Sequence, residues 1–126
     1  MTAKKVSVLL VEDDKLAQKM AVILLNQLNC EIKAASTSQL ALELVQANAF
    51  DLIFADIGLP DADGLTLIEE IRNTPSANQA VPIIMLSAHS DKETISQSLQ
   101  AGANDFFVKP LNKEIGKSIL RKYLNV

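Results

Sequence analysis

The sequence predicts an α/β fold, a doubly wound parallel sheet of five strands that alternate with five helices. Five short apolar runs recur along the 126 residues, each followed by apolar residues at helical spacing. Four of the runs are continuously rather than alternately apolar, which suits strands covered on both faces. Strand–helix alternation of this kind implies right-handed crossovers and helices on both sides of one sheet.

Each element has its own signal. The first strand is Val6 to Val11 (VSVLLV), and Leu16, Met20, Ile23, Leu24 and Leu28 mark the first helix, with Asp14 placed to cap its start. The second strand, Glu31 to Ala35 (EIKAA), mixes charge with apolar residues and is expected at a sheet edge. Leu40, Leu44 and Val45 mark the second helix. The third strand is Leu52 to Ala55, and the turn signal Asp63-Gly64 precedes a helix carrying Leu65, Ile68 and Ile71. Thr74 to Ala80 is a polar loop within the domain. The fourth strand, Ile83 to Leu86, leads to a helix opened by the capping-box pattern Ser90 to Glu93, with Ile95 and Leu99 as its core side and Gly102 as its stop. Phe106 to Val108 is the fifth strand, and Ile115, Ile119, Leu120 and Tyr123 lie on one side of the last helix. No repeat, linker or low-complexity tract interrupts residues 1–126, so a single domain is expected.

Composition narrows the function. Hydrophobic residues are 48%, charged residues 21% and aromatics 4%, a globular balance with an aliphatic core. A net charge of −3 argues against a direct nucleic-acid surface. No apolar run approaches the ~20 residues of a membrane span, and MTAKK lacks the apolar stretch of a signal peptide. Cys30 is the only cysteine, so no internal disulfide can form and a cytoplasmic setting is expected.

In open α/β sheets, ligands bind beyond the carboxyl ends of the strands. Glu12, Asp13 and Asp14 follow the first strand, Asp56 the third, Ser87 the fourth, and Lys109-Pro110 the fifth. Clustered carboxylates repel one another, and a divalent cation relieves that cost. Oxygen-only ligands favour Mg²⁺, and without a Cys/His cluster zinc is not expected. Asp56 is suited to act as a nucleophile forming an aspartyl-phosphate, Lys109 to meet a phosphoryl oxygen as a point charge, and Ser87 to donate one hydrogen bond. Taken singly, each feature also has a bland reading: a solvated turn, a helix cap, a loop. The joint arrangement at successive strand ends is what points to chemistry.

Val11-Glu12-Asp13-Asp14, Asp56-Ile57-Gly58-Leu59-Pro60 with Asp63-Gly64, Pro82 to Ala88 (PIIMLSA), and Ala101 to Pro110 (AGANDFFVKP) resemble, in order and across essentially the whole chain, the motifs of response-regulator receiver domains. The resemblance implies a flavodoxin-like (βα)5 sheet in strand order 2-1-3-4-5. It implies Asp56 as phosphoacceptor and a Mg²⁺ site from Glu12, Asp13, Asp56 and the backbone carbonyl of Gly58. It implies Lys109 as the phosphoryl-pairing lysine, Ser87 as the switch hydroxyl, Phe106 as the switch aromatic, and a cis Lys109-Pro110 bond. Ser87 stands where Thr is more usual and Phe106 where Tyr is, so hydroxyl chemistry is kept at the first position and lost at the second. Gly58 and His89 occupy positions that tune phosphate lifetime in the family. His89 itself is expected to be an exposed loop residue, Asp14 a cap, and Asp61 and Asp63 turn residues.

The implied partner is a sensor histidine kinase or a histidine phosphotransfer protein, with a homodimer through the face of fourth helix, fifth strand and fifth helix as a further expectation. The implied role is signalling rather than enzymatic: the domain assists its own phosphorylation and dephosphorylation. The stretch Leu10 to Asp14 with Gln18-Lys19, and Ser87 to His89, resembles receivers of hybrid sensor histidine kinases. The sequence closes soon after the fifth helix, so either a free-standing regulator or an excised receiver without an output domain is expected. A degenerate receiver acting only as a binding module is the alternative, and the intact Glu12, Asp13, Asp56 and Lys109 argue against it. A haloacid-dehalogenase-type phosphatase would want an acid where Gly58 stands. A flavodoxin would want a hydroxyl- and glycine-rich phosphate loop where the three acids stand.

Overall fold

The computed structural model describes residues 5–59, 64–88 and 91–126. Its elements are β1 (Val6–Val11), α1 (Lys15–Gln27), β2 (Cys30–Ala35), α2 (Ser38–Ala47), β3 (Leu52–Asp56), α3 (Gly64–Asn73), β4 (Ile83–Ser87), α4 (Lys92–Ala101), β5 (Asp105–Val108) and α5 (Lys113–Leu124). The strands pair in parallel, in the order β2-β1-β3-β4-β5. The charged second strand is indeed an edge. Asp61, Asp63 and His89 fall outside the described residues, as does Ser90 of the anticipated capping box. The cap of α4 is Asp91, one residue later than that pattern places it, with its carboxylate accepting from the Thr94 amide at 3.0 Å.

Alternation along β1 explains the two-faced core. Successive side chains of a strand point to opposite faces. Val8 and Leu10 join Leu25, Phe54, Ile84, Ile119 and Leu120 beneath α1 and α5. Leu9 and Val11 join Ile53, Leu67, Ile68, Ile71 and Met85 beneath α2 and α3. Each fully buried Leu or Ile contributes about 1.5–3 kcal/mol, so β1, β3 and β4 form a rigid base for whatever sits at their ends.

Several apolar residues are not where periodicity alone places them. Leu16, Met20 and Ile23 are 67%, 59% and 51% exposed, while α1 packs inward through Ala21, Val22, Leu25 and Leu28. This helix carries two apolar stripes, and only one can face the sheet. Leu40 and Leu99 are also exposed, and Val108 lies half out of the edge strand β5. The polar loop after α3 hides a core residue. Asn78 is fully buried, with its Oδ1 accepting from the Phe50 amide at 2.7 Å and its Nδ2 donating to the carbonyls of Val45 (2.7 Å) and Asn48 (2.6 Å). It satisfies backbone groups of the α2–β3 connection that would otherwise be buried without partners.

Candidate functional site

Asp56 and Ser87 are the last residues of β3 and β4, and Glu12 immediately follows β1. Register sets their spacing. Val11 pairs with Ala55, and Asp56 with Leu86, so the three side chains reach the same rim from adjacent strands. Carboxylate oxygens of Glu12, Asp13 and Asp56 lie within 4.8 Å of one another. Lys109, the first residue after β5, closes the group. Its Nζ donates to Glu12 Oε1 and, at 3.0 Å, to Asp56 Oδ2. Its backbone amide donates to the Ser87 carbonyl at 2.7 Å, extending the β4–β5 pairing by one bond. The Lys109-Pro110 bond is cis.

Glu12 and Asp56 are oriented before any ligand arrives. Glu12 is 4% exposed. Its Oε2 accepts from the Asp14 amide at 3.3 Å, and its carbonyl accepts from Gln18 Nε2 at 3.0 Å. Asp14 caps α1 by accepting from the Ala17 amide at 3.0 Å, so it faces the helix. Asp56 Oδ1 accepts from the Gly58 amide at 3.2 Å. Ser87 is buried, and Phe106 on β5 packs partly buried against the cluster containing Met85 and Ile71.

Burial pushes the Glu12 carboxyl above the usual carboxylate range; the Lys109 ammonium works against this, and neighbouring Asp56 adds to it. Burial pulls the Lys109 ammonium down, but hydrogen bonds and charge from Glu12 and Asp56 outweigh it and hold the group above its ordinary value. With all groups ionised, three carboxylates against one ammonium leave the described residues of the site at −2. One divalent cation brings that to zero. Hard carboxylate oxygens fit Mg²⁺, and the cluster can bind a metal.

One contributor was read from sequence as a turn and a motif member, with no packing role assigned. Gly64 packs against the end of β3: a Cβ there would lie 2.4 Å from the Asp56 carbonyl oxygen and 2.9 Å from Ile57 Cα. Its amide donates to the Ile57 carbonyl at 2.7 Å. Only a residue without a side chain lets α3 start this close to Asp56.

A parallel sheet whose carboxyl ends gather an acid cluster opposite a lysine is suited to hold a divalent cation beside a phosphoryl group. The chain belongs to the response regulator receiver domain family of two-component systems, which matches residues 8–121. It is 34% identical over 121 residues to the two-component response regulator ARR10 of Arabidopsis thaliana, an alignment covering 91% of this chain and 21% of the relative. It is 31% identical over 124 residues to the transcriptional regulatory protein ZraR of Escherichia coli K12, covering 98% and 27%. The chain thus spans less than a third of these curated relatives. A putative response regulator from Chloroflexus aurantiacus superimposes with a TM-score of 0.90 at 29% identity, covering 98% of this chain and 100% of that one. The receiver domain of the sensor histidine kinase PA1611 from Pseudomonas aeruginosa, with magnesium coordinated in its active site cleft, gives 0.88 at 29%, covering 97% and 99%. Among the described residues no helix is long and apolar enough to cross a membrane.

Proposed function

We propose that residues 1–126 form one phosphorelay receiver that takes a phosphoryl group from a phosphohistidine onto Asp56. The observation that carries this is the meeting of Glu12, Asp13 and Asp56 within 4.8 Å, with Lys109 bridging two of them. That constellation also favours a phosphoacceptor over a module that only binds. Glu12, Asp13, Asp56 and the Gly58 carbonyl would hold Mg²⁺, which when bound supplies charge neutralisation at the phosphoryl oxygens.

In the transfer, an Asp56 oxygen attacks phosphorus in line with the leaving imidazole. A P–O bond forms as the P–N bond breaks, and the electron pair leaves with the imidazole. Lys109, already 3.0 Å from Asp56, pairs with the incoming phosphoryl group. Ser87 then donates its hydroxyl to a phosphoryl oxygen, and Phe106 follows into the vacated space. Shifting a two-state equilibrium from 1:99 to 99:1 needs about 5.5 kcal/mol. A few charge-assisted hydrogen bonds at about 1.5–3 kcal/mol each are of that order.

The donor, a histidine kinase or histidine phosphotransfer protein in the cytoplasm, would dock on α1. Leu16, Met20 and Ile23 stand exposed there. A groove of about 230 Å³ runs between Ala17 and Ala21 of α1 and Pro110 and Leu111, and reaches Lys109 and Glu12 at the site. Exposed Leu99 and Val108 support a second contact, between copies, on the α4–β5–α5 face. The relation to the PA1611 receiver supports a place within a hybrid kinase.

The test is incubation with acetyl phosphate, with and without Mg²⁺, followed by intact-mass measurement. One phosphoryl group is expected only with Mg²⁺ and none on Asp56→Asn. Labelling of that variant at another residue refutes the assignment.

A further inference from the structure

We propose that Arg72 is the pivot of α4, pinning its far end so that displacement of the helix is confined to the end at the phosphoacceptor rim. What drives the displacement rests on the receiver reading above; the pivot itself does not.

The far end of α4 is held from outside the helix by a side chain of α3. The helix begins beyond the carboxyl end of β4 and ends at the start of β5. At that far end the Arg72 guanidinium, from the last turn of α3, donates from Nε to the Gly102 carbonyl at 2.9 Å. It donates from Nη1 to the Gln79 carbonyl at 3.0 Å and from Nη2 to Asn104 Oδ1 at 2.9 Å. Gln79 Nε2 returns a bond to the Arg72 carbonyl at 3.0 Å. Asn104 spreads the hold further. Its Oδ1 accepts from the Ile83 amide at 2.9 Å, its amide donates to the Ile83 carbonyl at 2.8 Å, and its carbonyl shares the single Tyr123 hydroxyl proton, at 3.1 Å, with Asp105 Oδ2 at 2.8 Å. Gly102 has φ +121°, and a Cβ there would lie 2.7 Å from Arg72 Cγ, so the glycine lets the arginine stem lie directly against the turn. A planar fork with five donors suits such a junction of neutral acceptors.

Among the described residues the body of α4 has no comparable anchor. Its only fully buried residue is Ser98, whose hydroxyl donates to the Thr94 carbonyl of the same helix at 2.8 Å. By contrast, α3 buries Leu67, Ile68 and Ile71. A helix that buries no large apolar side chain resists displacement weakly along its length. One clamped end then makes it a lever of about 15 Å, at 1.5 Å per residue.

Amide hydrogen exchange tests this on the unphosphorylated chain. Gly102, Ala103 and Asn104 should exchange about ten-fold more slowly than Ser96 to Leu99, the factor expected of one or two extra hydrogen bonds. Arg72→Met should erase the difference, and Arg72→Lys, which keeps the charge without the fork, should restore only part of it. Equal exchange along the wild-type segment, or unchanged protection of residues 102–104 in Arg72→Met, overturns the pivot. Should Arg72→Met not fold, the wild-type gradient and Arg72→Lys decide. After treatment with acetyl phosphate and Mg²⁺, exchange should change across Lys92 to Ser98 and not at residues 102–104; equal change at both ends again overturns the proposal. If intact mass shows no phosphoryl uptake, the phosphoacceptor reading fails, while the gradient in the untreated chain still judges the pivot.

Discussion

Two partly buried cations flank β5 and are held in opposite ways. Lys109, just after the strand, faces the carboxylates of Glu12 and Asp56. Arg72 meets Asn104, just before it, and its three acceptors are all neutral carbonyl oxygens. Burial pulls the Arg72 guanidinium below its ordinary value, yet arginine stays charged throughout the accessible range. A flexible stem carrying a point charge can exchange partners, and a rigid fork holding three fixed acceptors cannot do so cheaply. The carboxyl end of the sheet is therefore built for charge to arrive and move, and the amino end to stay still.

The sharpest way to break this contrast is Lys109→Met. Loss of the cation that opposes the acids should slow phosphorylation by acetyl phosphate about 10²–10³-fold, the range for removing a preorganised group that stabilises transition-state charge. The same change takes the site from −2 to −3 with all groups ionised, so Mg²⁺ should bind more tightly in a calorimetric titration. Weaker Mg²⁺ binding in this variant would mean that Lys109 orders the acids rather than competing with the ion for them. The mirror change, Arg72→Met, should leave the phosphorylation rate near wild type. It should lower unfolding free energy by about 2–3 kcal/mol in urea, because it leaves three acceptors to find other partners.

Gly64→Ala tests how far the rigidity of the rim reaches Asp56. The added methyl has nowhere to go, with the Asp56 carbonyl oxygen 2.4 Å away. Overpacking of this kind costs about 1–3 kcal/mol. The displaced backbone should also slow phosphorylation, where a merely structural glycine would change only the unfolding midpoint.

The sequence made the strands and the chemical rim legible for one reason: continuous apolar runs end in polar residues, so the residue after each run marks the rim. Even the small boundary error is instructive. Asp56 and Ser87 close β3 and β4 instead of following them, because parallel pairing carries the ladder to the last residue that still has a partner. The face of α1 was not legible. Leu16, Met20 and Ile23 share helical spacing with each other just as buried Leu25 and partly buried Ala21 and Leu28 do, and periodicity cannot choose between two apolar stripes. Asn78 and Arg72 were not legible either. Each earns its place through backbone carbonyls far along the chain, and a polar residue in a polar stretch gives no sign of which carbonyls those are.

A third charged group, Asp105, lies between these two regimes and gives the smallest effect. It opens β5 and accepts from the Tyr123 hydroxyl at 2.8 Å and from Lys122 Nζ at 3.3 Å. Burial raises its carboxyl, but the bonds from Tyr123, the Phe106 amide and Lys122 together outweigh that and hold it below the ordinary carboxylate range. A carboxyl lowered on folding contributes stability that is present above its unfolded value, near ~3.9, and is lost as pH falls through its lower folded value. Tyr123→Phe should therefore cost about 1 kcal/mol at neutral pH, and the difference from wild type should shrink as the medium is acidified below pH ~4. Urea unfolding at a series of pH values measures both. A difference that stays constant through the acid range would mean that the Tyr123 hydroxyl acts on the Asn104 carbonyl, its other partner at 3.1 Å. The bond would then belong with the fixed Arg72 junction instead of with the titrating groups.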